Sequence, residues 1–263
     1  MIVPFSKYQG TGNDFILLDN RNGDFSALQN QQIRFLCDRN FGIGADGLIC
    51  LENKEGYDFY MRYFNSDGNE SSMCGNGGRC ITAYAHAIKI TGLETKFSAI
   101  DGEHQAQIKS INPFIVKLKM GDVPVTEKMG NDIFINTGSP HYVRFVTDVG
   151  KIDVLEEARA IRYGNDFRSE GTNVNFVQPT ESGLKIRSYE RGVENETLSC
   201  GTGVTASVLA GVVSGKIKAR RGVCEVKTLG GLLSVYYEAD DGGFTDVWLE
   251  GEAKFVFAGQ IEI

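Results

Sequence analysis

The chain lacks any run of eighteen or more apolar residues, so it offers no candidate for a membrane-spanning helix. It also lacks an excess of positive charge: 27 Lys and Arg stand against 34 Asp and Glu, a net charge of −7. General nucleic-acid binding needs the opposite balance, although a local basic pocket for a small acidic molecule stays open. Met1 to Lys7 do not combine a basic region with a long apolar core, so no signal peptide is expected. The chain is therefore placed in the cytoplasm, with its cysteines reduced. Only three histidines accompany six cysteines: Cys37, Cys50, Cys74, Cys80, Cys200 and Cys224. These are too dispersed for a disulfide scaffold. Cys74 and Cys80, six apart, fit neither C-x2-C nor C-x4-C spacing, so no metal site is expected. No Rossmann fingerprint, P-loop or pyridoxal-binding lysine motif is present. Gly10-Thr11-Gly12 and Gly75-Asn76-Gly77-Gly78 come nearest and have the wrong spacing.

What is present is an ordinary globular composition, 41% hydrophobic and 23% charged, in 263 residues, enough for one large domain or two small ones. Two stretches organise it: Cys74-Gly75-Asn76-Gly77-Gly78-Arg79-Cys80 and Cys200-Gly201-Thr202-Gly203. Each is a cysteine and a glycine-rich turn leading into a small-residue apolar stretch, Ile81 to Ile90 (ending near Gly92) and Val204 to Val213, which reads as a helix. A cysteine just before a helix N-terminus meets unpaired backbone N–H groups and the positive end of the helix dipole. That setting lowers a thiol pKa toward neutrality, and the same N–H groups can hold a carboxylate.

The pattern around the two turns repeats. In the first half, strands are expected at Ile2 to Tyr8, Phe15 to Leu18 and Phe59 to Phe64, with an apolar stretch at Leu48 to Leu51. A helix is expected from an N-cap at Ser26 to Arg39, and strands again at Lys96 to Ile100, Gln105 to Ile111 and Phe114 to Met120. In the second half Phe134 to Ser139 matches the Thr11-Gly12-Asn13 turn, and the strands are Tyr142 to Val146, Lys185 to Tyr189, Val223 to Leu229, Leu232 to Glu238 and Phe244 to Leu249. The matching helix is Ile152 to Tyr163, with Ile152, Leu155, Ala158 and Ile161 in register. Asn13 to Ser139, Ser26 to Ile152 and Cys74 to Cys200 share one offset, 126 (139 − 13, 152 − 26, 200 − 74). A common offset across three element types predicts two copies of one unit. The expected class is α/β (α+β): two pseudo-symmetric domains, each a mostly antiparallel barrel-like sheet around a central helix. The boundary falls near Lys119 to Pro124, and the active site is expected in the interdomain cleft.

Two opposed thiols suit inversion of a carbon bearing one acidic hydrogen. A thiolate removes the proton from one face, and a thiol delivers one from the other, the roles exchanging in reverse. A carboxylate beside the carbanion, bound by helix N–H groups, would take up the developing charge. No cofactor is needed.

Gly12-Asn13-Asp14-Phe15, Met73-Cys74-Gly75-Asn76-Gly77, Gly138-Ser139-Pro140-His141, Tyr189-Glu190-Arg191-Gly192 and Glu196-Thr197-Leu198-Ser199-Cys200-Gly201-Thr202-Gly203 together resemble the diaminopimelate epimerase family, over nearly the whole chain. The resemblance implies cofactor-independent interconversion of LL- and meso-diaminopimelate, in lysine and peptidoglycan precursor synthesis, by a homodimer. It implies that residues 252–263 return to complete the first domain, giving domains of 1–119 with 252–263 and of 120–251. By the same resemblance Cys74 and Cys200 are the catalytic pair, and His141 and Glu190 tune them. Gly75, Asn76, Gly201 and Thr202 hold the reacting carboxylate. Asn13, Asn65, Asn173, Glu190 and Arg191 read the substrate, with Arg191 suited to a carboxylate through its bidentate fork. The chain departs from the family pattern in two places: Ser139 stands where many members have Asn, and the turn Val193-Glu194-Asn195 is one residue longer.

Two other functions fit the thiol pair. One is a proline or hydroxyproline racemase, which typically has histidine where Asn76 stands. The other is a non-catalytic binding or thiol redox protein, in which Cys74 and Cys200 would form a reversible disulfide. Cys37, Cys50, Cys80 and Cys224 are expected to be packing residues, and Arg79 a solvated or structural one.

Overall fold

The computed structural model describes residues 1–124 and 126–263. By contacts the chain separates into two compact units, Met1–Leu118 with Gly251–Ile263, and Lys119–Glu250.

In the first unit, β1 (Ile2–Gly10), β2 (Asn13–Asp19), β3 (Gly47–Glu52) and β4 (Phe59–Asn65) come in order, with β5 (Glu70–Ser71) after them. They are followed by β6 (Glu94–Ala99), β7 (Gly102–Ile111) and β8 (Phe114–Lys119). Most neighbours pair antiparallel; β2 with β3 and β4 with β6 pair parallel. Helix α1 (Asn30–Cys37) covers one face of the sheet, and helix α2 (Gly75–Ala87) fills the other. The strand sequences explain this layering. Ile16, Leu18, Leu48 and Cys50 join Ile33 and Leu36 of α1 in one core cluster. The alternate residues Phe15 and Ile49, with Met61, close on the α-carbon of Gly77 in α2, within 3.1–3.5 Å of where a β-carbon would stand. A strand with both faces covered reads as a continuous apolar run, as Phe15 to Leu18 does.

The second unit runs β9 (Val123–Pro124), β10 (Glu127–Met129), β11 (Asp132–Asn136), β12 (Pro140–Phe145), a short 3-10 turn (Val149–Lys151) and α3 (Val154–Arg162). It continues with β13 (Asn173–Pro179), β14 (Gly183–Glu190), β15 (Asn195–Thr197), α4 (Gly201–Val213), β16 (Arg221–Lys227), β17 (Leu232–Asp240) and β18 (Gly243–Glu252). The final strand, β19 (Lys254–Glu262), returns to the first unit and pairs antiparallel with β1. The duplication is visible in register. Helices α2 and α4 differ by 126 at both ends (201 − 75 and 213 − 87). The parallel joints match as well, Phe15 facing Gly47 and His141 facing Asn173, again displaced by 126 (141 − 15 and 173 − 47).

Several local readings change. The first helix starts at Asn30, not after Ser26, because a Gln29–Gln32 capping box opens it. Ser26 instead belongs to a turn in which its hydroxyl accepts from Asn20 Nδ2 at 3.2 Å. Helix α3 starts at Val154, since the Asp153 carboxylate accepts from Glu156 N–H at 3.1 Å. The stripe rotates accordingly: Val154 and Ala158 are buried, while Leu155 is 38% exposed. Both central helices begin inside the glycine turns, at Gly75 and Gly201, and the first ends at Ala87, short of Gly92. Strand β13 has no counterpart among the strands expected from the sequence pattern. No helix among the described residues is long and apolar enough to cross a membrane.

Candidate active site

Cys74 and Cys200 are the N-cap residues of α2 and α4, each with extended backbone, and their carbonyls accept the first helical bonds, from Gly78 N–H at 2.7 Å and Val204 N–H at 2.9 Å. The thiols therefore stand at the N-termini of two thirteen-residue helices, each buried through most of its length. Gly75, Asn76 and Gly201 are buried in the first turns and Thr202 is half-buried there.

Around Cys74 the first unit assembles an amide cluster. The Cys74 thiol donates to Asn13 Oδ1 at 3.5 Å, and Asn76 Nδ2 donates to the same oxygen at 3.2 Å. Asn13 is fixed from its other end, where Nδ2 donates to Asp46 Oδ2 at 2.6 Å. Asp46 is in turn held by Arg39, which bridges it to Asp14. Burial pushes the Asp14 carboxyl up, but its bonds with Arg39 and Lys7 outweigh that and hold it at about 2. Asn65 is exposed at the end of β4, in a turn closed by Gly68 N–H donating to its carbonyl at 2.9 Å. Among the described residues no hydrogen bond joins its side chain to Asn13 or Cys74.

Around Cys200 the second unit builds a relay. Cys200 Sγ lies 3.5 Å from Thr202 Oγ1, which lies 2.9 Å from His141 Nε2. His141 Nδ1 meets Asn175 Nδ2 at 3.0 Å. Ser188 donates to Asn175 Oδ1 at 2.8 Å, which fixes the amide orientation and makes its NH2 the donor to Nδ1. The imidazole then carries its proton on Nε2 and gives it to Thr202, leaving the threonine hydroxyl to point at sulfur. Full burial, with a smaller contribution from Arg191, pushes His141 down to about 3, so the ring is neutral at any ordinary pH.

The distal residues form a third group. Asn173 donates through Nδ2 to Ser139 Oγ at 2.6 Å and to the Pro140 carbonyl at 2.9 Å, and its Oδ1 accepts from Arg191 N–H at 2.9 Å. Both amide protons are spent, so only the oxygen has capacity for a ligand cation. Arg191 is exposed and donates to the Glu170 carbonyl at 2.7 Å, and Glu190 accepts from the Thr197 hydroxyl. The longer turn has its own lock. Glu194, with φ +55°, takes hydrogen bonds from Gly192 N–H and the hydroxyls of Tyr163 and Tyr189, at 2.8–3.1 Å.

Sequence reasoning missed two residues here. Asn175 could have been found by its two-residue step from Asn173 along a strand, which puts both on one face. Glu194 had no local signal. Of the two roles expected for Arg79, solvated or structural, its full burial fits the structural one. The remaining cysteines are inert: burial pushes Cys37, Cys50 and Cys80 up to about 12 and Cys224 to about 11.

A family model for diaminopimelate epimerase matches residues 5–126 and 133–256. The chain belongs to the diaminopimelate epimerase family. It is 48% identical to the diaminopimelate epimerase of Flavobacterium psychrophilum, covering 95% of this chain and 97% of that one. It is 41% identical to that of Chlorobaculum tepidum (97% and 99% covered) and 37% to that of Aquifex aeolicus (98% and 98%). Solved structures with the same fold include a phenazine biosynthesis protein of the PhzF family from Bacillus anthracis, with TM-score 0.74, 13% identity and full coverage of both chains. A hydroxyproline epimerase from Agrobacterium vitis aligns with TM-score 0.69 and 12% identity over 99% of this chain and 91% of that one. At those identities the likeness speaks for the fold alone, so the racemase fold is shared without carrying the racemase substrate.

Proposed function

We propose that this chain is a cofactor-independent isomerase that interconverts LL- and meso-diaminopimelate in lysine and peptidoglycan precursor synthesis, acting in the cytoplasm. The observation that carries the reading is a family match running through both halves, each half holding a cysteine at the N-cap of a buried central helix. One cysteine, as thiolate, takes the α-proton. The other, as thiol, delivers a proton to the opposite face, so the configuration inverts and the two sulfurs exchange protonation states. The N–H groups of Gly75, Asn76, Gly201 and Thr202 hold the α-carboxylate as it gains enolate character. Arg191 takes the distal carboxylate. Glu190 and the oxygens of Asn13, Asn65 and Asn173 take the ammonium group. His141, neutral, tunes Cys200 through Thr202. Residues 1–119 with 252–263 and residues 120–251 serve as the two domains of this enzyme.

A homodimer accords with β19, where the consecutive residues Phe255, Val256 and Phe257 are 44–50% exposed, so that both faces of one strand present apolar surface. Sedimentation at micromolar concentration should give twice the mass of the chain.

The deciding assay incubates reduced protein with LL-diaminopimelate in D2O without pyridoxal phosphate. Deuterium should enter the α-carbon as the meso isomer appears, and Cys74→Ala or Cys200→Ala should each abolish inversion. Absence of exchange, or exchange of proline instead, would overturn the assignment.

A further inference from the structure

Glu190 ends β14, and Arg191 opens the turn, 191–194, that joins it to β15. Glu194 closes that turn, its N–H donating to the Glu190 carbonyl at 2.8 Å. Its carboxylate collects donors from three directions. Gly192 N–H, inside the turn, donates to Oε1 at 3.1 Å. The Tyr189 hydroxyl, from β14, donates to Oε2 at 2.9 Å. From the C-terminal end of α3, the Tyr163 hydroxyl donates to Oε2 at 2.8 Å and Arg162 Nη2 to Oε1 at 3.3 Å. Hydrogen bonds to an ionised acceptor are the stronger kind. Glu194 holds this position at φ +55°, a backbone conformation that glycine adopts more readily. The shape of the turn therefore does not call for glutamate; the work is done by its carboxylate.

The same carboxylate bears on Arg191 from a second side. Arg162 is largely buried, and among the described residues its Nε–H has no hydrogen-bond partner, so the bond to Glu194 is what fixes its guanidinium. That guanidinium lies against Gly171, where a β-carbon would come within 2.5 Å of Arg162 Cζ. The neighbouring Glu170 carbonyl accepts from Arg191 Nη1 at 2.7 Å, while Asn173 Oδ1 accepts from Arg191 N–H at 2.9 Å. Glu194 thus braces the turn that carries Arg191 and, through Arg162, the backbone that receives its guanidinium. All of these residues belong to the second unit. We propose that Glu194 is a positioning residue for the distal amino acid centre of the substrate. It presets Glu190 and Arg191 to read a second ammonium and a second carboxylate, and takes no part in the chemistry at sulfur. This rests on the reading of the chain as a diaminopimelate epimerase whose distal site includes Glu190 and Arg191.

The test is steady-state epimerisation of LL-diaminopimelate by the reduced full-length protein, with kcat and KM determined separately. Glu194→Ala should raise KM about tenfold and leave kcat within about threefold, because the reacting centre keeps its own ligands and only distal binding is lost. Glu194→Gly should do the same. It relieves the positive φ but brings no carboxylate, whereas a residue needed only for the shape of the turn could become glycine without loss. Glu194→Gln keeps the length and an acceptor oxygen, and should raise KM by only about threefold. A purely structural role would lower the thermal midpoint and the amount of active enzyme, and hence apparent kcat, with KM unmoved. A Gly variant with the wild-type KM, a Gln variant as impaired as Ala, or a loss confined to kcat would each overturn the proposal. If the variants at 194 do not fold, Tyr163→Phe decides. That tyrosine is 52% exposed, and losing its one bond to Glu194 should raise KM about twofold to threefold at unchanged kcat; an unmoved KM there would overturn the proposal. Wild-type protein without epimerisation would overturn the functional reading and this inference together; an active enzyme whose KM ignores these changes would overturn this inference alone.

Discussion

Replacing Gly203 with alanine tests the relay behind Cys200 through packing alone. Gly203 lies in the first turn of α4, where Gly→Ala is ordinarily favourable by about 1 kcal/mol. Here the added β-carbon would stand 2.5 Å from Asn175 Oδ1 and 3.3 Å from the Cys200 β-carbon. Asn175 is fully buried between the His141 ring and the Ser188 hydroxyl and has no exposed direction in which to retreat. Displacing it orphans two buried polar partners, at about 1–3 kcal/mol each. The clash therefore outweighs the helical gain, for a net loss of about 2 kcal/mol or more. A fall of about 4–8 °C in the thermal midpoint follows at the usual scale for a chain of this size. Gly121→Ala, at a position with nothing within 4 Å and no positive φ, is the control and should be near neutral. Scanning calorimetry reads both, and the epimerisation assay should show Gly203→Ala losing turnover as the Asn175–His141–Thr202 chain shifts. A Gly203→Ala protein as stable as wild type, with full activity, would refute the argument that Asn175 is wedged against this glycine.

His141 is held neutral in the fold to about pH 3 but is protonated below its ordinary value of about 6.5 once unfolded. The unfolded state thus binds the extra proton, and stability contributed by the neutral ring is intact above pH 6.5 and lost at about 1.4 kcal/mol per unit as pH falls from there toward 3; urea titrations of wild type and His141→Gln should show a shallower loss in the variant. Asp14→Asn leaves Lys7, 5% exposed, without its carboxylate and frees Arg39 from one anchor; a loss of about 2–3 kcal/mol is expected in the same titrations, with weaker substrate binding because Asp46 and Asn13 loosen. Leu209→Ala, at a site with no exposed surface in α4, should cost about 2–5 kcal/mol and lower the thermal midpoint by roughly 5–15 °C.

Legibility of the sequence followed the range of the interactions. The glycine turns and central helices could be read because each is local: a cysteine, two small residues and an apolar stretch suffice. Their common offset then exposed the duplication without any long-range information. Strand β13 escaped because Asn173 and Asn175 break its apolar run, and those asparagines are there for His141, Ser139 and Arg191, which lie far away in sequence. The Ser26 cap was misassigned for a related reason. Serine is a good cap by type, but here Asn20 holds it in a turn, and Gln29 with Gln32 opens the helix instead. Whether Arg79 is solvated or structural is not legible locally, because its burial depends on β1, α2 and the 10–12 turn closing around it. Even Gly10 is constrained by that closure, since a β-carbon there would approach Arg79 Nη2 to 3.2 Å.

The duplicated frame explains why the asymmetries carry the functional information. Two copies of one unit deliver two equivalent thiols, each at the N-cap of a buried helix of the same length. Equivalence alone is unsuited to two-base inversion, which must start from one thiolate and one thiol. Identical surroundings would hold both sulfurs at the same protonation. The chain breaks the tie with few substitutions. At the fifth position after each cysteine one copy has a buried guanidinium and the other a hydroxyl turned back on its own helix. At the second position Asn76 in one copy faces an amide, while Thr202 in the other faces a neutral imidazole. The Cys74 sulfur thereby faces an amide oxygen and the Cys200 sulfur a threonine hydroxyl, which biases the two toward different protonation states. Because the reaction runs in both directions, this bias must stay small enough for the sulfurs to exchange states at every turnover.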